Sequence, residues 1–105
     1  MTKYRTRAFA DPKVFSVYVI EVLGGVDGEL YVGQTWHTPE LRRQQHVDGV
    51  RRGRVFKGRD REVGLLRPDL VPPLASLTTR ELAEAAEKYV AAVLRSQGFK
   101  VYGGH

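Results

Sequence analysis

The sequence predicts a small α/β fold, and three observations predict it. Two segments rich in Val, Ile, Tyr and Phe flank a glycine-rich turn and read as an antiparallel hairpin. A Thr-Pro helix start follows almost directly. A long amphipathic stretch from Thr79 to Gln97 closes the chain. The expected architecture is a sheet of about three strands that begins with the hairpin and is flanked by helices. At 105 residues the chain holds one modest core and not two. A basic N-terminal arm is expected over residues 1–13 and a single domain over residues 14–105.

Composition narrows the function classes. No apolar run approaches the roughly 18 residues that a membrane helix needs. Val14 to Leu23 is apolar, but it contains Tyr18 and Glu21 and leads into a turn, so it is not read as a secretory leader. A cytoplasmic protein with no membrane association is expected. The absence of cysteine excludes disulfides and thiolate metal sites. Seventeen Lys and Arg stand against twelve Asp and Glu, a formal charge of +5. That balance suits a polyanionic partner, and it also serves plain solubility.

The elements are justified in chain order. Phe15 to Leu23 is the clearest strand. Both of its faces carry apolar residues, which predicts a central strand covered on both sides. Gly24-Gly25-Val26-Asp27-Gly28 forms the turn. Glu29 to Gly33 is the second strand, and Tyr18 and Tyr31 are expected near each other across the hairpin. Thr38 caps a helix with Pro39 at its first position, and Gly49 is its left-handed stop after Asp48. Arg42 and His46, four residues apart, share one helical face.

From Val50 to Arg61 six basic residues surround Phe56, opposed only by Asp60. The segment reads either as a solvated loop or as one that tracks phosphates, with Phe56 either in the core or stacked on a base. Prolines at 68, 72 and 73 permit only an edge strand, expected within Leu65 to Val71. Thr78 and Glu81 form a capping-box pattern for the last helix. Its apolar stripe is Leu82, Ala86, Tyr89, Val90, Val93 and Leu94, and Gly98 ends it. Phe99 to Tyr102 is expected to return as a short extended segment against the sheet.

Several residues fit phosphodiester chemistry on their own properties. Hydrolysis needs a positioned water, charge neutralisation on the phosphate and help for the leaving oxygen. Arg42 offers a permanent cation with a forked donor set. Glu87 is a hard oxygen ligand, and a lone carboxylate with substrate phosphate and waters suits Mg²⁺ or Mn²⁺. Tyr18 and Tyr31 are both candidates to contact the water. A tyrosine, ordinarily titrating near ~10, acts as a base only with help from a cation. His37 and His105 are read as incidental.

Taken in order, Ser16-Val17-Tyr18, Tyr31-Val32-Gly33, Arg42, His46 and Glu87 resemble a GIY-YIG nuclease domain over roughly Val14 to Tyr102. Ser16 and Val17 stand where that family usually has Gly and Ile, and the chain lacks the asparagine that many members carry late in the domain. The resemblance implies a metal-dependent endonuclease that hydrolyses phosphodiester bonds, in DNA rather than RNA. Tyr18, Tyr31, Arg42, His46 and Glu87 would be its catalytic residues, with Glu87 the ligand of one divalent ion, Mg²⁺ or Mn²⁺. Gly33, at the end of its strand, would let the backbone turn beside the substrate. Gln34, Arg51, Arg52, Arg54, Lys57 and Arg59 would contact the substrate. The alternative is a nucleic-acid-binding module of the same fold without cleavage. No recognition-helix pair or zinc finger is present, so either cleavage is weakly specific or specificity comes from a homodimer or a separate partner.

Overall fold

The structure is a computed structural model that describes residues 14–25, 28–58 and 60–104. The expected basic arm, Arg59 and His105 lie outside the described residues. The fold is α/β: a four-stranded mixed sheet with one long helix on one face and a shorter helix on the other. Strands β1 (Ser16–Leu23) and β2 (Glu29–Thr35) form the predicted hairpin, with Tyr18 opposite Gly33 and Ile20 opposite Tyr31. β1 is central, as its two apolar faces require. Strand β3 (Glu62–Leu66) pairs antiparallel with it on one side, giving the order β3-β1-β2-β4.

Two strand expectations are corrected. The edge strand lies at Glu62–Leu66 and not within Leu65 to Val71. Pro68 has no amide hydrogen to offer a ladder and starts a short 3₁₀ turn, Pro68–Leu70. The sheet has four strands and not about three. The expected C-terminal segment is a full strand, β4 (Lys100–Gly103), parallel to β2.

Helix α1 (Pro39–Asp48) starts and stops where expected. The Thr38 hydroxyl accepts the Leu41 amide at 3.1 Å, and Gly49 at φ 82° closes the helix, with the Val50 amide returning to the Gln45 carbonyl at 2.8 Å. Helix α2 (Arg80–Ser96) is capped by Thr79 and not Thr78, its hydroxyl accepting the Leu82 amide at 3.1 Å. The buried face of α2 is Ala83, Ala86, Val90, Ala91 and Leu94, whereas Leu82 and Tyr89 are exposed. The stripe is thus rotated towards the alanines, whose small side chains allow close packing on the sheet.

The sheet's alternation sorts its side chains into two clusters. Val17, Val19, Leu30, Val32 and Val101 pack under α2. Tyr18, Ile20 and Val22 face the other way, with Tyr31, Val63, Leu66, Tyr102 and the fully buried Phe56. Phe56 is therefore core. It stands in a 3₁₀ turn, Arg54–Phe56, inside the segment expected to be a basic loop. At the β2–β4 edge Glu29 is buried, and its carboxylate is paired with Arg61 Nε at 2.8 Å and with the Tyr102 hydroxyl at 3.2 Å.

Candidate functional site

The second cluster ends in polar groups. Tyr18 on β1, Tyr31 on β2 and His46 on α1 form a compact triangle, with ring centroids 6.2, 5.9 and 5.2 Å apart. Phe56 closes its base, 5.4 Å from both Tyr31 and His46. Hairpin register creates the pairing: Tyr18 and Tyr31 lie diagonally on one face. Two glycines leave room for the rings. A Cβ on Gly33 would stand 2.5 Å from the Tyr18 hydroxyl, and one on Gly53 would stand 2.6 Å from the Tyr31 ring. Gly33 therefore acts as a slot for Tyr18. It does not end the strand or turn the backbone, because β2 continues in register to Thr35.

His46 is the only buried residue of α1, and both ring nitrogens are engaged. The Gly53 amide donates to Nδ1 at 2.9 Å, and Nε2 stands 2.8 Å from the Tyr18 hydroxyl. A nitrogen that accepts an amide hydrogen cannot carry its own, so the network assigns the proton of the neutral ring to Nε2. Nε2–H then donates to the Tyr18 oxygen. Burial, with the positive charges of Arg42 and Arg52 beside it, lowers the His46 pKa from 6.5 to about 4. The ring is neutral near pH 7 and, bonded on both sides, is not available as a metal ligand.

Both tyrosine hydroxyls are held protonated. Burial is the first cause of the raised pKa of each, followed by Tyr31 for Tyr18 and by the Glu87 carboxylate for Tyr31. Arg42 opposes the rise at both. Its guanidinium also organises the loop after its own helix. Nη1 donates to Gln45 Oε1 and to the Val50 carbonyl, each at 3.1 Å, and Nη2 donates to the Arg51 carbonyl at 2.6 Å. Arg51 adopts φ +48°, unusual for a side-chain-bearing residue, and is strained beside the site. This loop leads directly to Gly53 and its amide.

Glu87 arrives from α2, on the opposite face of the sheet. It is half-buried, and its Oε2 accepts the Gly104 amide at 3.0 Å just past the end of β4. Its charge reaches Tyr31 and Tyr18 past the β4 edge, where two glycines carry no side chains. Among the described residues no group of three or more His, Cys, Asp or Glu is placed to hold a metal. Glu87 alone fits a hydrated Mg²⁺ or Mn²⁺ that takes its remaining oxygens from water and phosphate.

A cleft of about 440 Å³ is lined by Arg42, and Tyr18, Tyr31 and His46 are not among its lining residues. Gln34, Arg42 and Arg51, named above as candidates, line it together with Trp36 and Arg80, which sequence reasoning passed over, and His37, which it read as incidental. Arg80 reaches the cleft because the Phe15 amide donates to the Leu77 carbonyl at 2.8 Å, which brings the start of α2 beside the start of β1. No local signal encodes that contact. Arg52 is half-buried near His46, and its Nε has no hydrogen-bond partner among the described residues. Arg54 and Lys57 are exposed and do not line the cleft. No helix among the described residues is long and apolar enough to cross a membrane. In comparisons with known proteins, no family model, no curated protein and no solved structure matches the chain.

Proposed function

We propose that this chain is a metal-dependent endonuclease of the GIY-YIG type that hydrolyses phosphodiester bonds in DNA. One observation carries the reading: a tyrosine hydroxyl held by a neutral histidine and acted on by Arg42, an arginine that also lines a cleft with no acidic residue in its described lining. In this reading Arg42 and Arg51 bind the phosphate. Tyr18, oriented by His46 Nε2–H, holds the attacking water, and Tyr31 packs against it. The hydrogen bond donated by His46 and the Arg42 charge both favour an anionic Tyr18 oxygen, against the burial that raises its pKa. A divalent ion at Glu87 would stabilise the leaving oxygen and offset the carboxylate charge that adds to the effect of burial on the tyrosines. No recognition-helix pair or zinc finger is present among the described residues, so a second copy or a partner would supply sequence choice, in the cytoplasm.

A second reading is a binding module of the same fold that does not cut. The three protein acceptors already held by the Arg42 guanidinium favour it. Cleavage of supercoiled plasmid in Mg²⁺ or Mn²⁺ separates the two. Wild type is expected to nick or linearise the plasmid, and Glu87→Gln to bind it without cutting. Binding by wild type with no cleavage under either metal would select the binding module. Equal cleavage by both proteins would remove Glu87 from the site.

A further inference from the structure

We propose that Trp36 is a stacking platform for an unpaired nucleobase, seated in the cleft next to the phosphate held by Arg42 and Arg51. The inference rests on the nucleic-acid reading above and names the part of the substrate that occupies the cleft. Trp36 follows β2 directly, outside the core. Its indole stacks on His37, with centroids 4.1 Å apart and planes at 30°, while half of its surface stays exposed. The His37 amide donates to the buried Thr35 hydroxyl at 3.0 Å, which pins the backbone under this pair. A large aromatic ring is thus presented on a rigid base at the mouth of a cleft.

The rest of the lining states what the ring receives. Arg42, Arg51 and Arg80 contribute three guanidinium groups, and no lining residue among the described ones is acidic. The ligand is therefore anionic as well as planar. Gln34 Oε1 is buried in the same lining with no donor among the described residues, so it accepts an N–H from the ligand, as a base edge provides. A volume of about 440 Å³ suits one nucleotide unit. Phosphate on arginine, base on indole and base N–H on Gln34 form one consistent occupant. A base reaches an indole face only when it is out of its stack, so the substrate presents an unpaired nucleotide at this point.

Trp36 is the only tryptophan in the chain, so intrinsic fluorescence reports on it directly. The experiment titrates the protein in EDTA with a labelled oligothymidylate, an abasic strand of the same length and a blunt duplex, reading tryptophan emission and label anisotropy together. Oligothymidylate is expected to bind and quench the emission, while the abasic strand binds more weakly and quenches little, and the duplex quenches less than the single strand. Trp36→Ala should weaken oligothymidylate binding by about 10- to 100-fold and leave abasic binding unchanged, with Trp36→Phe close to wild type. Saturable binding without quenching, or equal quenching by duplex and single strand, would overturn the platform and leave the nucleic-acid reading intact. No anisotropy change with any of the three would overturn that reading itself. Trp36 lies outside the core, so circular dichroism of Trp36→Ala should match wild type and keep the affinity comparison interpretable.

Discussion

The Gly53 backbone amide decides which nitrogen of His46 faces Tyr18. By donating to Nδ1 at 2.9 Å it leaves the ring proton on Nε2, which points at the tyrosine hydroxyl. The same glycine gives Tyr31 its room. Replacing Gly by Ala where the backbone tolerates it ordinarily stabilises a protein by about 0.4–1 kcal/mol. Gly53 has φ −57° and ψ 150°, which alanine adopts freely. The close approach of Tyr31 reverses the sign. Gly53→Ala is expected to destabilise the fold by about 1–3 kcal/mol and to weaken cleavage, because the ring must move. Urea unfolding decides it: a stabilised Gly53→Ala protein would mean that Tyr31 does not press on this glycine.

The neutrality of His46 has a pH signature. Its folded-state pKa is lowered from 6.5 to about 4 by burial and by Arg42 and Arg52. Between those values the unfolded chain binds a proton that the folded chain does not. Stability therefore rises with pH across that window, is complete above about 6.5, and is lost as pH falls towards 4. The difference across the whole window is on the order of 3 kcal/mol. His46→Gln removes this contribution and should flatten the profile relative to wild type, since the carboxylates are common to both proteins. Parallel profiles from denaturation at several pH values would show that the ring is not held neutral. Protonation would also turn Nδ1 into a donor facing the Gly53 amide, so acid should open the loop that carries Arg51 and Arg52.

Tyr18 and Tyr31 are distinguishable by substitution. Tyr18→Phe removes the acceptor of His46 Nε2–H and leaves a buried donor without a partner, at about 1–3 kcal/mol of stability. Its expected effect on cleavage is larger, about 10²- to 10⁴-fold in rate, with DNA affinity unchanged. Tyr31→Phe keeps the Tyr18–His46 bond and should lose less of both. Single-turnover cleavage of the two variants tests the assignment. A greater loss in Tyr31→Phe would make Tyr31 the residue that holds the water.

Much of the frame was legible because its signals are local. Thr38-Pro39 and Gly49 bound α1 by backbone rules that hold in any context, and the four-residue spacing put Arg42 and His46 on one face. Alternation and β-branched content marked the hairpin, and its register brought Tyr18 and Tyr31 together. The cap of α2 was misread by one residue because Thr78 and Thr79 carry equal chemistry, and only the geometry at Leu82 separates them. The third strand was displaced for a related reason: prolines forbid ladder positions without saying where the permitted ones lie.

By itself, then, the sequence determined the α/β class, the hairpin, both helices and which elements carry Tyr18, Tyr31, Arg42, His46 and Glu87. All of these follow from interactions between residues close in the chain. Only the tertiary structure decided how those side chains act on one another. The proton position on His46 depends on an amide seven residues away that is folded back by a strained loop. Glu87 influences the tyrosines past a parallel strand contributed by the last residues described. Trp36, which sequence reading left unremarked, acquires a role from a cleft whose walls come from β2, α1, the loop after it and the first residue of α2. Electrostatics and enclosure depend on distance in space, and the chain sets that distance only once the sheet has closed.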